Sequence, residues 1–541
     1  MQPWRDRRRC SLGLDTAAGS VEPRTVKTTL MVLASSLVGE RKSFQALWLL
    51  GFFGLAAAGW AGETSELWGE RGEKWDPLSR LPDFSHAGYH GAAAPLPNLP
   101  AGVSVKEFGA KGDGVTDDTQ AFLDALARVK SGVIEFPAGR YRLTKILEIT
   151  RPGLVLRGAG TDRTVLFFPT PLNEIRPDWG ATTTGERTSN YSWSGGFVWF
   201  KGRDRRRPLA TVTAEAQRGA TSLQVSGTNL FQPGERIEIA LRDAPDRSLT
   251  RELYSGDTGD TRNLRDVRAA LVARVTRIRS GVVEFDRPLR WDVKLAWQPR
   301  INAFEPTVSE AGVEHLCLEF PNTPYRGHFT EPGYNAVAMN QVADCWARDL
   351  RILNADSGLF SLGRFCTIQG VIFESARLPE KERGATGHHG ISLESDDNLF
   401  TDFDFRTRFM HDITVSGQCA GNVCAHGKGV DICFDHHKYA PYENLFTDID
   451  IGEGSRPWQC GGGAALGKNS GARETFWNIR SQRPLAYPPS SFGPATMNLV
   501  GLRSDQAAVK EPQGKWFEPI APESLTPQDL HAAQLARRLN Q

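Results

Sequence analysis

Residues 398–405 read NLFTDFDF, and residues 444–451 read NLFTDIDI. Between them, Asn422-Val423 opens a looser version that reaches Gly429-Val430-Asp431-Ile432, so asparagine recurs at 398, 422 and 444, in steps of 24 and 22. The frame extends both ways with changed lettering: Cys345-Trp-Ala-Arg-Asp-Leu-Arg-Ile, Cys366-Thr-Ile-Gln-Gly-Val-Ile-Phe and Glu474-Thr-Phe-Trp-Asn-Ile-Arg. Apolar or aromatic residues fill the third, sixth and usually the eighth positions. A period of this length marks a solenoid, whose units bury an apolar face only against their neighbours. β-rich runs separated by Gly, Asn and Asp make the unit strands and turns, and about 22 residues suit three short strands with three turns. The predicted fold is all-β: a right-handed, single-stranded parallel β-helix. Asn398, Asn422 and Asn444 are expected to form a turn ladder, with Phe400, Phe403, Phe446 and Ile449 inward.

A chain of 541 residues can bury a large core and hold more than one domain. Its net charge of +1 gives no reason to expect nucleic acid or an anionic membrane as a partner. The one dense basic run of the interior, Arg203-Asp-Arg-Arg-Arg207, reads as a solvated loop. Residues 44–62 are uncharged and mostly apolar behind Arg41-Lys42, the pattern of a secretory segment cleaved after Ala61 or Gly62. The expectation is a secreted, extracellular protein; the alternative is a single-pass anchor formed by residues 44–62. Of eight cysteines, Cys419 with Cys424 and Cys433 with Cys460 lie close enough in the repeat frame to pair. Cys345 and Cys366 share a frame position and should stack as small buried hydrophobes. Without a CxxC pair, no structural zinc site is expected.

Residues 1–62 form the N-terminal extension with the signal or anchor segment, 63–102 a strap bearing Pro, Gly and Trp, and 103–207 the N-terminal cap and first coils. Residues 208–292 break the repeat with the short strand patterns GATSLQV, ERIEIAL, LVARVTRI and VVEFDRPL, and read as a small β-rich insertion. Residues 293–510 are the main coils and 511–541 a C-terminal tail. In the cap, Thr116, Asp117 and Asp118 supply oxygens for the start of a helix that carries Phe122, Leu126 and Val129, ends at Gly132 and plugs the open end of the solenoid. In the tail, Thr526 as N-cap and Pro527 in the first turn open a helix that runs to Leu539. The stretch FGAKGDGVTDDTQAF, followed by GVIEFPAGRYRL, closely resembles the N-terminal signature of the pectate-lyase-like superfamily, in its rhamnogalacturonase and epimerase-like group. That resemblance implies the β-helix of the pectin-lyase type. It leaves the reaction open, because the superfamily holds hydrolases, lyases, epimerases and phage tailspikes.

The strand about ten residues before each asparagine should stack as well. Aligned on isoleucine, residues 389–394, 411–416 and 430–435 superpose. Alternation then puts Ile391, Ile413 and Ile432 in the core, and Glu394, Asp412, Asp431 and Asp435 on one external wall. Five of the 11 histidines crowd the same patch: His388, His389, His411, His436 and His437. Glycosidic hydrolysis needs a carboxylic acid near the leaving oxygen and a second carboxylate roughly 5 to 9.5 Å away. Asp412 with Asp431 is the first candidate pair, and Asp435 with Glu394 the second. Elimination needs a base for the proton α to a uronate carboxyl and a cation to neutralise that carboxylate. His411 or His437 would be the base. Lys438, Arg456 or a Ca²⁺ ion would neutralise, with Asp396 and Asp397 as candidate metal ligands. His388, His436, His437, Lys438, Arg456 and Trp458 are the candidate substrate contacts, the last offering a ring on which a sugar could stack.

Gly387-His-His-Gly-Ile-Ser-Leu-Glu-Ser395 resembles the GHGISIGS motif of polygalacturonases, which places His389 at their active-site histidine. Asn354-Ala-Asp-Ser-Gly358 is similar to their NTDG motif and places Asp356 near one catalytic acid. The paired aspartates that belong between these motifs are missing, since Asp396-Asp397 come after the histidine, and no RIK motif follows. The reading is a carbohydrate-active enzyme that cleaves glycosidic bonds of an acidic polysaccharide, with hydrolysis placed ahead of β-elimination by a uronate lyase. No cofactor is required, Ca²⁺ being optional. A non-catalytic, polysaccharide-binding β-helix is the third reading.

Overall fold

The structure, a computed structural model, describes residues 62–182 and 184–540. The signal or anchor reading of residues 44–62 thus falls outside the described residues, except for Gly62. Among the described residues, no helix is long and apolar enough to cross a membrane.

Parallel strands stack coil upon coil into a right-handed β-helix. Trp346, Thr367, Leu399, Val423, Leu445, Thr475 and Asn498 stand in one column. The frame set by the recurring asparagines is therefore the register of the sheet. Asn398 Nδ2 donates to Asn422 Oδ1 at 3.0 Å, Asn422 Nδ2 to Asn444 Oδ1 at 2.9 Å, and Asn444 Nδ2 to Glu474 Oε1 at 2.8 Å. The same acceptor oxygens take the backbone N–H of Asn398 and of Asn422. Each turn thus satisfies its buried donors from the next coil. Phe400, Phe403, Phe446 and Ile449 lie in the core beneath it.

A second sheet, the wall, runs through Leu147–Ile149, Val198–Lys201, Asn335–Ala343, Ser357–Arg364, Gly387–Leu393, Phe409–Val415 and Phe434–His436. Its N-terminal end is closed by the helix Thr119–Arg128, where Phe122 meets Phe136 and Tyr141. Residues 113–117 are strand, so the helix starts at Thr119, whose N–H the Asp117 carboxylate accepts. The C-terminal helix is shorter than expected. It spans Leu530–Leu539 under an Asp529 cap, because Leu525–Thr526 pairs with Glu63–Thr64 as strand. Leu530 packs with Leu67, Trp68, Leu81 and Phe84 of the strap against Val423, Leu445 and Trp477 on the outside of the coils. Cys345 and Cys366 are buried thiols as expected, but Cys419, Cys424, Cys433 and Cys460 are also free. The two expected pairings do not form: the Cys433 and Cys460 thiols turn to the carbonyls of Met410 and Phe434.

The insertion is an antiparallel sheet in which Arg236–Arg242 is flanked by Arg268–Arg279 and by Arg300–Ala303. Its last strand lies beyond residue 292, so the excursion ends later than the sequence pattern indicates. Ile237, Ile239, Leu241, Ala269, Leu271 and Ile301 form one face and a separate apolar core. By strand alternation the other face carries Glu238, Ala240, Arg242, Arg268 and Arg300, which line a cleft.

Candidate active site

In the wall, His389 pairs with His411 and Ile391 with Ile413, as aligned from the sequence. The third strand differs: Ile413 pairs with Phe434 and Thr414 with Asp435, 21 residues on. Alignment on Ile432 is therefore two residues out of register. A shift of two keeps every side chain on its face. Asp435 stays outward but moves from the column of Glu394 to that of Ser392 and Thr414. Gly390 accounts for the histidines. A Cβ there would sit 2.3 Å from Phe405 Cε1, so Gly390 and Ile391 both turn inward. Alternation breaks between them and His389 faces outward, its Nδ1 3.1 Å from Thr414 Oγ1.

Asp435 is the centre of the constellation and is fully buried. Its Oδ2 accepts from His437 Nδ1 at 2.8 Å and from the Thr414 hydroxyl at 3.0 Å, and lies 3.2 Å from His411 Nδ1. Its Oδ1 accepts the Gly461 N–H at 2.7 Å. Burial opposes the charge, but the two imidazoles and the amide outweigh it and hold the carboxyl well below the usual range. Asp435 is an anion. Burial would lower His437 too, yet the adjoining carboxylate prevails and its pKa is raised. Its side chain is 30% exposed and reaches solvent. Burial takes His411 down to about 4 and His389 well below its ordinary value, so both are neutral. Ring centroids are 4.1 Å apart for His388 and His389, 5.0 Å for His389 and His411, and 5.1 Å for His411 and His437.

Two members went unread in the sequence. His328 and Glu331 belong to the connection between the strands Gly312–Glu319 and Asn335–Ala343. The His328 ring lies 4.4 Å from His388 and 5.6 Å from His411. Glu331 accepts from the Tyr325 hydroxyl at 2.6 Å, lies 3.5 Å from His388 Nδ1, and is pushed up to about 7 by burial. The only signal available was a His and a Glu close together in a segment without the coil period.

Several expected members lie elsewhere. Asp412, one coil beyond Gly390, accepts the N–H groups of Phe409 and Cys433 at 2.9 Å each and the Arg456 guanidinium at 2.7 Å. Asp431 accepts the Ser455 N–H and hydroxyl and pairs with Arg408 and Arg456. These two acids and Arg456 form a buried ion cluster that ties a turn to the coils. His436 points into the core among Phe446, Phe476 and Phe492. Trp458 packs on Phe434, Phe476 and Phe492 with Nε1 on the Ala486 carbonyl, which covers the core instead of offering a sugar platform. Asp397 is held between Arg287 and Arg290, and Asp396 by Arg364 and the Ala420 N–H. Guanidinium and amide donors occupy their oxygens, a poor set for Ca²⁺. Asp356 is ion-paired with Arg377 and accepts the N–H groups of Gly333 and Tyr334.

Glu394 stands half-buried at the edge of the wall, accepting from the Ser392 hydroxyl, its pKa raised by burial. Lys438, also half-buried, follows His437. From Glu394, a cleft of about 360 Å³ opens between the wall and the inserted sheet. Arg206 and Arg364 on its lining pair with Glu238. Arg242 and Arg268, cross-strand neighbours, and Arg300 have no carboxylate within ion-pair distance among the described residues. Unpaired guanidinium groups on a concave surface concentrate anions.

Residues 102–172 match the family described as Rhamnogalacturonase A/epimerase, pectate lyase-like. The chain is 31% identical over 159 residues to mannuronan C5-epimerase AlgE5 of Azotobacter vinelandii, covering 28% of this chain and 14% of that protein. It is 35% identical over 100 residues to alginate lyase 7 of the same organism, covering 17% and 12%. These alignments span less than a sixth of either relative's length. The tailspike protein gp49 from Pseudomonas phage LKA1 has a similar fold, with a TM-score of 0.45 and 12% identity over 74% of this chain and 64% of that one. The pectate-lyase-like resemblance read from the cap is thereby established over its own segment.

Proposed function

We propose that this protein is a secreted polysaccharide-modifying enzyme that takes the C5 proton from a uronate residue, the step shared by elimination and epimerisation. The observation that carries this reading is the Asp435–His437 pair. A buried carboxylate orients an imidazole and raises its basicity, while the side chain of that imidazole is 30% exposed and its Nε2 is free of that carboxylate. The proton passes to His437 Nε2, and the negative charge gathers on the uronate carboxyl. Lys438 and the arginines of the cleft supply the cations that this charge requires. The names of the relatives, an epimerase and a lyase of uronate polymers, agree with such a substrate.

Hydrolysis is the second reading, and one observation favours it: Glu394 is shifted up while Asp435 is shifted down, as an acid and its companion carboxylate are. Against it, both Asp435 oxygens are engaged by donors, which suits orienting a base better than attacking a sugar. The test is incubation with polymannuronate, polyguluronate, polygalacturonate and neutral glucans in deuterated water. Unsaturated products mean elimination, deuterium at C5 without chain cleavage means epimerisation, and new saturated reducing ends mean hydrolysis. Absence of all three on every polymer defeats the enzymatic reading.

A further inference from the structure

Four polar atoms beside the Asp435–His437 pair are buried and meet no hydrogen-bond partner: Glu331 Oε2, His388 Nδ1 and both ring nitrogens of His411. A buried polar atom without a partner is costly; the two Nδ1 atoms have carboxylates beside them to turn to, which leaves His411 Nε2 as the atom that calls for an occupant. His388 and His411 are each 2% exposed. His328 completes a trio in which one ligand nitrogen from each ring lies within 4.8 Å of the other two.

We propose that His328, His388 and His411 bind one first-row transition-metal dication of the Zn²⁺ kind. Three neutral imidazoles are the ligand set such ions favour, whereas Ca²⁺ and Mg²⁺ require oxygen. A tetrahedral ion with bonds of about 2.0–2.1 Å spaces its nitrogens roughly 3.3 Å apart. The trio needs only a small inward turn, which His328 can make because it stands on a half-exposed connection. The outer shell is also in place. Asp435 Oδ2 lies 3.2 Å from His411 Nδ1, and Glu331 Oε1 3.5 Å from His388 Nδ1. Carboxylates in that position take the N–H of a ligating imidazole and leave its other nitrogen for the metal. The positive field of Arg383 reaches His328 and His411 and opposes the ion. His437, whose field reaches the same rings, adds to that opposition, and the Asp435 carboxylate 3.2 Å from His411 offsets it.

Three protein ligands leave a fourth position open towards the half-exposed His328, as at catalytic rather than structural zinc sites. The ion would stand beside His411, whose ring is 5.1 Å from that of His437. From there it could neutralise the uronate carboxyl while His437 takes the proton. That role rests on the proposed function, but the binding itself does not.

The test uses the full chain, stripped with a chelator and titrated with Co²⁺. The expected result is one equivalent bound, with the intense visible absorption of a four-coordinate nitrogen site, displaced by Zn²⁺. His328→Ala lies outside the coils and leaves the fold intact by circular dichroism. It should weaken binding at least tenfold, and His388→Gln should do the same. Zn²⁺ should raise the melting temperature of the wild type and not that of His328→Ala. Featureless, non-stoichiometric Co²⁺ binding overturns the proposal, as does a His328→Ala variant that binds as the wild type does. Neither readout depends on sugar turnover, so the metal and the reaction can fail separately.

Discussion

Replacing Asp435 with asparagine changes one atom at the centre of the wall. The amide matches the carboxylate in shape, and its oxygen can still accept the Gly461 N–H, which fixes its orientation. The NH₂ group then stands where Oδ2 stood, against His437 Nδ1 at about 2.8 Å and Thr414 Oγ1 at about 3.0 Å. A donor now meets Nδ1, so the neutral ring must carry its proton on Nε2 and has no lone pair for the substrate. The loss should equal what a general base contributes, about 10²–10⁴ in kcat, or roughly 2.7–5.5 kcal/mol of barrier. The pH profile gives an independent sign. Asp435 stabilises protonated His437, so the wild type should gain activity as pH rises through a pKa above the ordinary histidine value. Without the anion that pKa falls, and the acid limb of the residual kcat/KM should move to lower pH. Initial rates on a polyuronate, measured from about pH 4 to 10 on protein with wild-type near-ultraviolet dichroism, decide the matter. Activity within threefold of wild type, with an unmoved acid limb, would falsify the assignment of His437 as the oriented base.

Other residues carry separable expectations. Arg242→Ala with Arg268→Ala removes two unpaired cations from the cleft; at about 0.5–1 kcal/mol each, KM for a polyuronate should rise roughly 5- to 30-fold with a weaker salt dependence. A neutral glucan should respond to neither change. Asn422→Ala breaks the turn ladder and leaves the Asn398 N–H and amide without their acceptor, so the urea midpoint should fall by the equivalent of about 2–4 kcal/mol. Asp397→Asn strips the anion from between Arg287 and Arg290, both buried, and should cost about 3–5 kcal/mol of stability by chemical denaturation while kcat of the folded fraction stays unchanged.

The turn ladder was legible because each of its positions demands one chemistry: a carboxamide that donates upward and accepts from below, with an acid, Glu474, able only to accept at its end. The wall was harder. Ile432 and Phe434 are both apolar and both an odd number of residues from Asp435, so alternation cannot tell one alignment from the other; only coil length can. Twenty-one residues from Ile413 reach Phe434, in keeping with the neighbouring step from His389 to His411, whereas Ile432 would shorten the coil to 19. His328 and Glu331 were illegible for a different reason: an excursion between strands obeys no period, so nothing in its spacing says over which wall it folds. The carboxylates pose the last problem, because Asp412 and Asp435 look alike in the strand pattern. What separates them is the donor set each meets. Asp412 receives a guanidinium and two amides, groups that do not give up protons, and is fixed as an anchor. Asp435 receives two imidazoles, and one of them, His437, opens to solvent and can pass a proton on. A carboxylate acquires catalytic meaning only through a neighbour that can pass a proton on, and that neighbour was set by a register one pleat away from the one the sequence pattern favoured.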